Sequence, residues 1–91
     1  MYNKERYEII FVNFLTNMIG GNSKSRIEIV KLSNILVKEY DNNFGDFDKV
    51  LDYIMESEEL SSGIKILFLR KLLKGENYLK LKTNLFELSL K

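Results

Sequence analysis

Apolar residues recur along this chain at the three-and-four spacing of a single helix face, and glycine- or asparagine-bearing breaks cut the pattern into short segments. Tyr7, Ile10, Phe11, Phe14, Leu15 and Met18 set the first period, which predicts a helix over residues 3–19 stopped by Gly20-Gly21-Asn22. A second set, Ile9, Val12, Thr16 and Ile19, lies on roughly the opposite side of the same helix. A helix that is apolar on two sides is either central in its fold or shared with a partner. In so small a chain these four residues are a candidate homodimer interface.

Three further segments follow the same logic. Ser23 or Ser25 can cap a helix over 25–40, with Ile29, Leu32, Leu36 and Tyr40 on its main stripe. Its start, "RIEIV", also alternates, which leaves open a short strand before a shorter helix. "DNNFGD" (41–46) reads as a turn, because Asn and Asp tolerate left-handed backbone and Gly adopts it freely. Asp46 can cap a helix over 46–57 whose apolar face is Phe47, Val50, Leu51 and Ile54, with Asp48, Asp52, Glu56 and Glu59 opposite. Ser61 or Ser62 can open a helix over 61–74, ended by Gly75. Its apolar residues fall in two sets, Ile64, Leu67, Phe68, Leu72 and Ile66, Leu69, Leu73.

Ninety-one residues make one domain, and 45% apolar residues are enough for a core. The chain has no Cys and no His. That removes disulfides, thiolate chemistry, the commonest metal ligand and the commonest general base, so neither an enzyme nor a cofactor or metal site is expected. No apolar run reaches the roughly 18 residues that cross a membrane, and no signal-peptide cleavage site follows the N-terminus, which points to a cytoplasmic protein. The absence of Ala and Pro beside abundant Lys, Asn, Ile and Leu fits an AT-rich source such as a bacterium, plasmid or phage.

The formal net charge of +1 conceals an asymmetry. Residues 41–60 carry one Lys against seven Asp/Glu, whereas residues 61–91 carry seven Lys/Arg against two Glu. A basic end beside an acidic segment is an electrostatic footprint for an anionic partner.

The closing stretch "YLKLKTNLFELSLK" has two readings. With period two it is a hairpin over about 78–90, turning at Thr83-Asn84. Leu79, Leu81, Phe86, Leu88 and Leu90 then face the core, and Lys80 lies across from Glu87. Tyr78 and Leu85 are misfits on the polar face, and Thr disfavours the turn. With period 3.6 it is a helix with one stripe of Tyr78, Leu81, Leu85 and Leu88 and another of Leu79, Phe86 and Leu90. Composition favours the helix, since Leu, Lys and Glu form helices well and no Val or Ile occurs here. The alternation is the cleaner match, and the hairpin is expected.

With that hairpin, residues 46–91 resemble a winged helix-turn-helix domain. "DFDKVLDYIMES" is placed as the support helix, "SSGIKILFLRKLLKGEN" as the recognition helix, and "YLKLK" and "LFELSLK" as the wing strands. The resemblance implies a mainly α single domain with a C-terminal β-hairpin; the alternative is an all-α five-helix bundle. It further implies binding to double-stranded DNA, with Ser61, Ser62 and Lys65 at base edges, Arg70, Lys71 and Lys74 on phosphates, and Lys80 and Lys82 on the wing. The expected function is that of a dimeric DNA-binding regulator or accessory factor of a bacterial or mobile genetic element. The alternative is a helical protein-interaction module, such as an inhibitor, immunity or adaptor protein.

Overall fold

The structure, a computed structural model, describes residues 4–20 and 23–90, with side chains for residues 9–20, 26–88 and 90. The described residues form five helices: α1 (Lys4–Ile19), α2 (Ser23–Asn42), α3 (Phe47–Glu56), α4 (Ser62–Leu72) and α5 (Asn77–Ser89). The longest helix, α2, packs against all four others, with α1 also on α4 and α4 on α5. Its inner face, Ile29, Leu32, Ile35, Leu36 and Tyr40, is the centre of the hydrophobic core. "RIEIV" belongs to α2 and forms no strand. α2 begins at Ser23, so Ser25 lies inside it and does not open it; the side chains of Ser23, Ser25 and Tyr7 and the stop at Gly21-Asn22 lie outside what is described, and Gly20 itself takes φ +77.

The other helices face this centre with one stripe each. α1 contributes Phe11, Leu15 and Ile19, α3 contributes Phe47, Val50 and Ile54, and α4 contributes Ile64, Phe68 and Leu72. On α1 the buried stripe is turned relative to the expected one, so that Ile10 is exposed and Ile19 is in the core. The α2–α3 turn is held by the Gly45 N–H, which donates to the Tyr40 carbonyl at 2.8 Å. Two successive residues there are left-handed, Phe44 at φ +54 and Gly45 at φ +80. Asp46 then caps α3, accepting a hydrogen bond from the Lys49 N–H at 3.2 Å. Gly75, at φ +55, turns the chain from α4 into α5, and the Asn77 side-chain amide closes the corner by donating to the Lys71 carbonyl at 2.8 Å.

The expected hairpin is not formed: residues 77–89 are helical, and the described residues contain no strand. The fold is the all-α alternative. The reason lies in the two residues that the hairpin could not place. Leu85 is fully buried with Leu81, and Tyr78 packs edge-on against Phe47, ring centroids 5.1 Å apart, while its hydroxyl donates to Asp48 at 2.8 Å. A helix puts Tyr78, Leu81, Leu85 and Leu88 on one side, whereas a hairpin splits them between two faces. Local propensity agrees with that burial, and the poor Thr-Asn turn no longer has to form. Leu79, Phe86 and Leu90, expected to face the core, are 62%, 54% and 69% exposed. Lys80 does not lie across from Glu87; seven residues along a helix separate them by about 10.5 Å of rise.

Candidate interaction surface

The helix expected to read DNA is α4, and its start is fixed from a distance. Ser61 is its N-cap, with Oγ accepting a hydrogen bond from the Ile64 N–H at 3.3 Å. The same hydroxyl donates to Glu28 on α2 at 2.8 Å, and the Ser61 N–H donates to the other Glu28 carboxylate oxygen at 2.8 Å. These two bonds hold the Glu28 carboxyl below the usual carboxylate range, the backbone bond being the larger cause. A serine hydroxyl has one proton to give. With that proton on Glu28, Ser61 serves the junction of α2 and α4 and does not present a donor outward.

The other expected DNA contacts are scattered. Ser62 and Arg70 are exposed on α4 and Lys74 just past its C-cap, while Lys65 and Lys71 are half-buried. Lys80 and Lys82 are exposed on α5, where there is no wing. At 100° per residue they stand on opposite flanks of that helix, about 160° apart. Helix α3, expected to support α4, packs chiefly on α2.

What α4 does present is apolar. Ile66, Leu69 and Leu73 are 58%, 38% and 69% exposed and fall within about 60° of arc, opposite the buried Ile64, Phe68 and Leu72. Arg70 borders this stripe on one side and Lys65 on the other, and α4 contains no acidic residue. The outer stripe of α5, Leu79, Phe86 and Leu90, repeats the theme, bordered by Lys82. Both stripes were visible in the sequence as the second apolar set of each helix; the period alone could not say which set would be buried.

The expected dimer stripe on α1 does not stay together. Ile9 is 61% exposed, but Val12 is packed against the core and Ile19 is buried. Thr16 is half-buried, and its hydroxyl donates to the Val12 carbonyl at 2.7 Å.

A separate recess opens where the C-terminal end of α2 meets the α2–α3 turn and α5. Tyr40, Asp41, Phe44, Gly45 and Phe86 line it, with a cavity volume of about 430 Å³. Phe44 is 99% exposed. Sequence reading took this segment as a turn and assigned the left-handed backbone to Asn, Asp or Gly, so it did not single out Phe44.

Among the described residues, no group of three or more Asp and Glu side chains is placed to hold a metal ion. None of the described helices is long and apolar enough to cross a membrane. Comparison of the chain with protein-family models, with curated proteins and with solved structures gives no match.

Proposed function

We propose that this chain is a protein-interaction module whose α4 face docks a partner segment that is apolar along its centre and acidic at its edges. The observation that carries the reading is the stripe of Ile66, Leu69 and Leu73, left in solvent on a helix whose only charged residues are Lys65, Arg70 and Lys71. Three adjacent large aliphatics gain free energy only when another apolar surface covers them. The cations around them select an acidic rim on whatever does so.

Duplex DNA is a poorer occupant. A recognition helix needs donors and acceptors along the side that enters the groove, and here that side is aliphatic. A second copy of the chain is also a poorer occupant. The acidic helix α3 buries its aliphatic face in its own core, and its exposed side offers Asp48, Asp52 and Glu56 with Tyr53 as the one large apolar group.

Two designed helical peptides test the reading, both with a leucine ridge, one flanked by Glu and the other by Lys. Methyl NMR titration of the full chain should show saturable binding of the Glu-flanked peptide, with shifts at Ile66, Leu69 and Leu73. Leu69→Ser with Leu73→Ser should abolish it while the circular dichroism spectrum stays unchanged. Equal binding of the Lys-flanked peptide refutes the charge selection. A duplex-DNA mobility shift at low salt that is lost on charge reversal of Arg70 and Lys71 replaces this reading with nucleic-acid binding.

A further inference from the structure

The turn between α2 and α3 holds one apolar side chain, Phe44, and it is 99% exposed. A lone exposed apolar residue is ordinary on a protein surface. What sets Phe44 apart is its backbone. At φ +54 it is the one residue other than glycine with a positive φ among the described residues. Asn or Gly would hold that conformation at less cost, and Asn43 and Gly45 stand on either side of it. The cost falls on a residue whose ring adds nothing to the core. Backbone strain under a wholly exposed ring is a reason to look for function.

The turn also holds that ring on a fixed backbone. Every N–H from Asn43 to Asp46 has a partner. The Asn43 and Gly45 N–H groups donate to the Glu39 and Tyr40 carbonyls at 2.9 and 2.8 Å, and those of Phe44 and Asp46 donate to the Asp41 and Asn43 carbonyls at 3.2 and 3.1 Å. The Asn43 side-chain amide adds a bond to the Glu39 carbonyl at 2.8 Å. A preorganised turn loses little further entropy when a partner covers its ring. The neighbours of the ring define what can cover it. Asn42, Asn43 and Asp46 are polar and Gly45 has no side chain. A flat apolar surface would strip water from those groups, so the complement is a pocket the size of one ring. Charge defines the rim, since from Glu39 to Asp48 the chain carries four acidic residues and no Lys or Arg.

We propose that Phe44 is an anchor that inserts into an apolar pocket of a protein partner, a pocket rimmed by Lys or Arg. Aromatic side chains are enriched where protein surfaces meet, and one ring on a rigid turn is enough to fix a register. A lipid surface is the poorer occupant. Rings that enter a bilayer are held there by basic neighbours on anionic lipid, and here the neighbours are acidic. The α4 face of a second copy has the right charge but is a convex helix surface and not a pocket. Phe44 shares no residue with that face and stands in the opposite charge, so the anchor is independent of the docking proposed above.

The probe is an amino-substituted β-cyclodextrin, whose apolar cavity takes one phenyl ring inside a rim of ammonium groups, compared with the neutral and carboxylated hosts. In NMR titration of the full chain the amino host should shift Phe44 first and bind roughly fivefold more tightly than the neutral host, an advantage lost at high salt. Phe44→Asn should abolish these shifts and raise Tm, because Asn accepts the left-handed backbone. Leu69→Ser with Leu73→Ser should leave the Phe44 shifts unchanged, which separates the anchor from the α4 face. Equal binding of the three hosts overturns the basic rim. A lower Tm for Phe44→Asn means that the ring supports the fold and overturns the anchor. Phe44→p-benzoylphenylalanine, irradiated in the cells that make the chain, reads the source of the pocket. Its adducts should map to an apolar pocket of another protein, bordered by Lys or Arg. Adducts to lipid or to the chain itself, or no adduct beyond those of Asp52→p-benzoylphenylalanine, overturn the protein partner.

Discussion

The carboxylate of Glu28 accepts two hydrogen bonds from Ser61, one from its backbone N–H and one from its hydroxyl, each 2.8 Å long. This clasp ties the first turns of α2 to the N-cap of α4 across 33 residues of chain. It fixes where α4 begins.

The clasp has a pH signature. The Glu28 carboxyl is depressed by its bonds to Ser61, so the carboxylate is favoured in the folded state. Its contribution is present above the unfolded glutamate value of about 4.3 and is lost as pH falls through the lower folded value. Glu28→Gln should cost about 1 kcal/mol at pH 7, a modest figure because the bonds are exposed to solvent. The gap to wild type should close below about pH 4. Ser61→Ala removes the N-cap as well and should cost about 1–2 kcal/mol. Urea denaturation at pH 7 and pH 3 reads both; a Glu28→Gln variant that parallels wild type at the two pH values removes the clasp from the account.

Ser33 is fully buried on α2, and its Oγ has no hydrogen-bond partner among the described residues. A buried hydroxyl without a partner costs about 1–3 kcal/mol of desolvation, and Ala is the better helix former. Ser33→Ala should therefore stabilise the fold by about 1 kcal/mol, or raise Tm by roughly 4–8 °C for a domain of this size. A lower Tm for the variant contradicts the assignment of Ser33 as an unsatisfied core group.

Tyr78 joins the first turn of α5 to α3 in two ways, through its ring on Phe47 and its hydroxyl on Asp48. The bond to the Asp48 carboxylate raises the pKa of the phenol, which needs its proton to donate. That contribution is complete below the ordinary tyrosine value of about 10 and disappears as pH rises through the raised value. Tyr78→Phe keeps the ring contact and should cost about 0.5–1.5 kcal/mol at pH 8. Its stability should then change less than wild type between pH 8 and pH 11. Guanidinium denaturation at the two pH values checks it; equal losses for both proteins mean the hydroxyl bond contributes nothing.

Much of this architecture is legible in the sequence because the core-forming stripes have one strong period. Ile29, Leu32, Leu36 and Tyr40 all point inward as their spacing implies, as do Phe47, Val50 and Ile54. Asp46 caps α3 because a short acceptor stands where the apolar period begins. Legibility ends where a helix carries two apolar stripes. The period marks both sets on α4 and α5, and only packing against α1, α2 and α5 chooses Ile64, Phe68 and Leu72 over Ile66, Leu69 and Leu73 on α4. The hairpin expected over residues 78–90 fails for the same reason in another form. Alternation within residues 78–90 is a local signal, whereas the burial of Leu85 and the bond of Tyr78 to Asp48 are long-range facts. The exposure of Phe44 was hidden too, since turn composition says that left-handed residues occur in "DNNFGD" but not that phenylalanine will be one of them.

The face of α5 that supports the fold is open to a direct mutational contrast. Leu85 is fully buried and Leu79 is 62% exposed, and a hairpin reverses the two. In the helix, Leu85→Ala deletes core contacts and leaves a cavity, at a cost of about 2–5 kcal/mol. Leu79→Ala alters a surface position and should change stability by less than about 0.5 kcal/mol. Thermal denaturation followed at 222 nm measures both, with the starting ellipticity giving the helical content of each variant. A large loss for Leu79→Ala with a tolerated Leu85→Ala restores the hairpin and with it the wing. The opposite result leaves Leu79, Phe86 and Leu90 as an outward-facing set on α5 whose substitution should leave the fold intact.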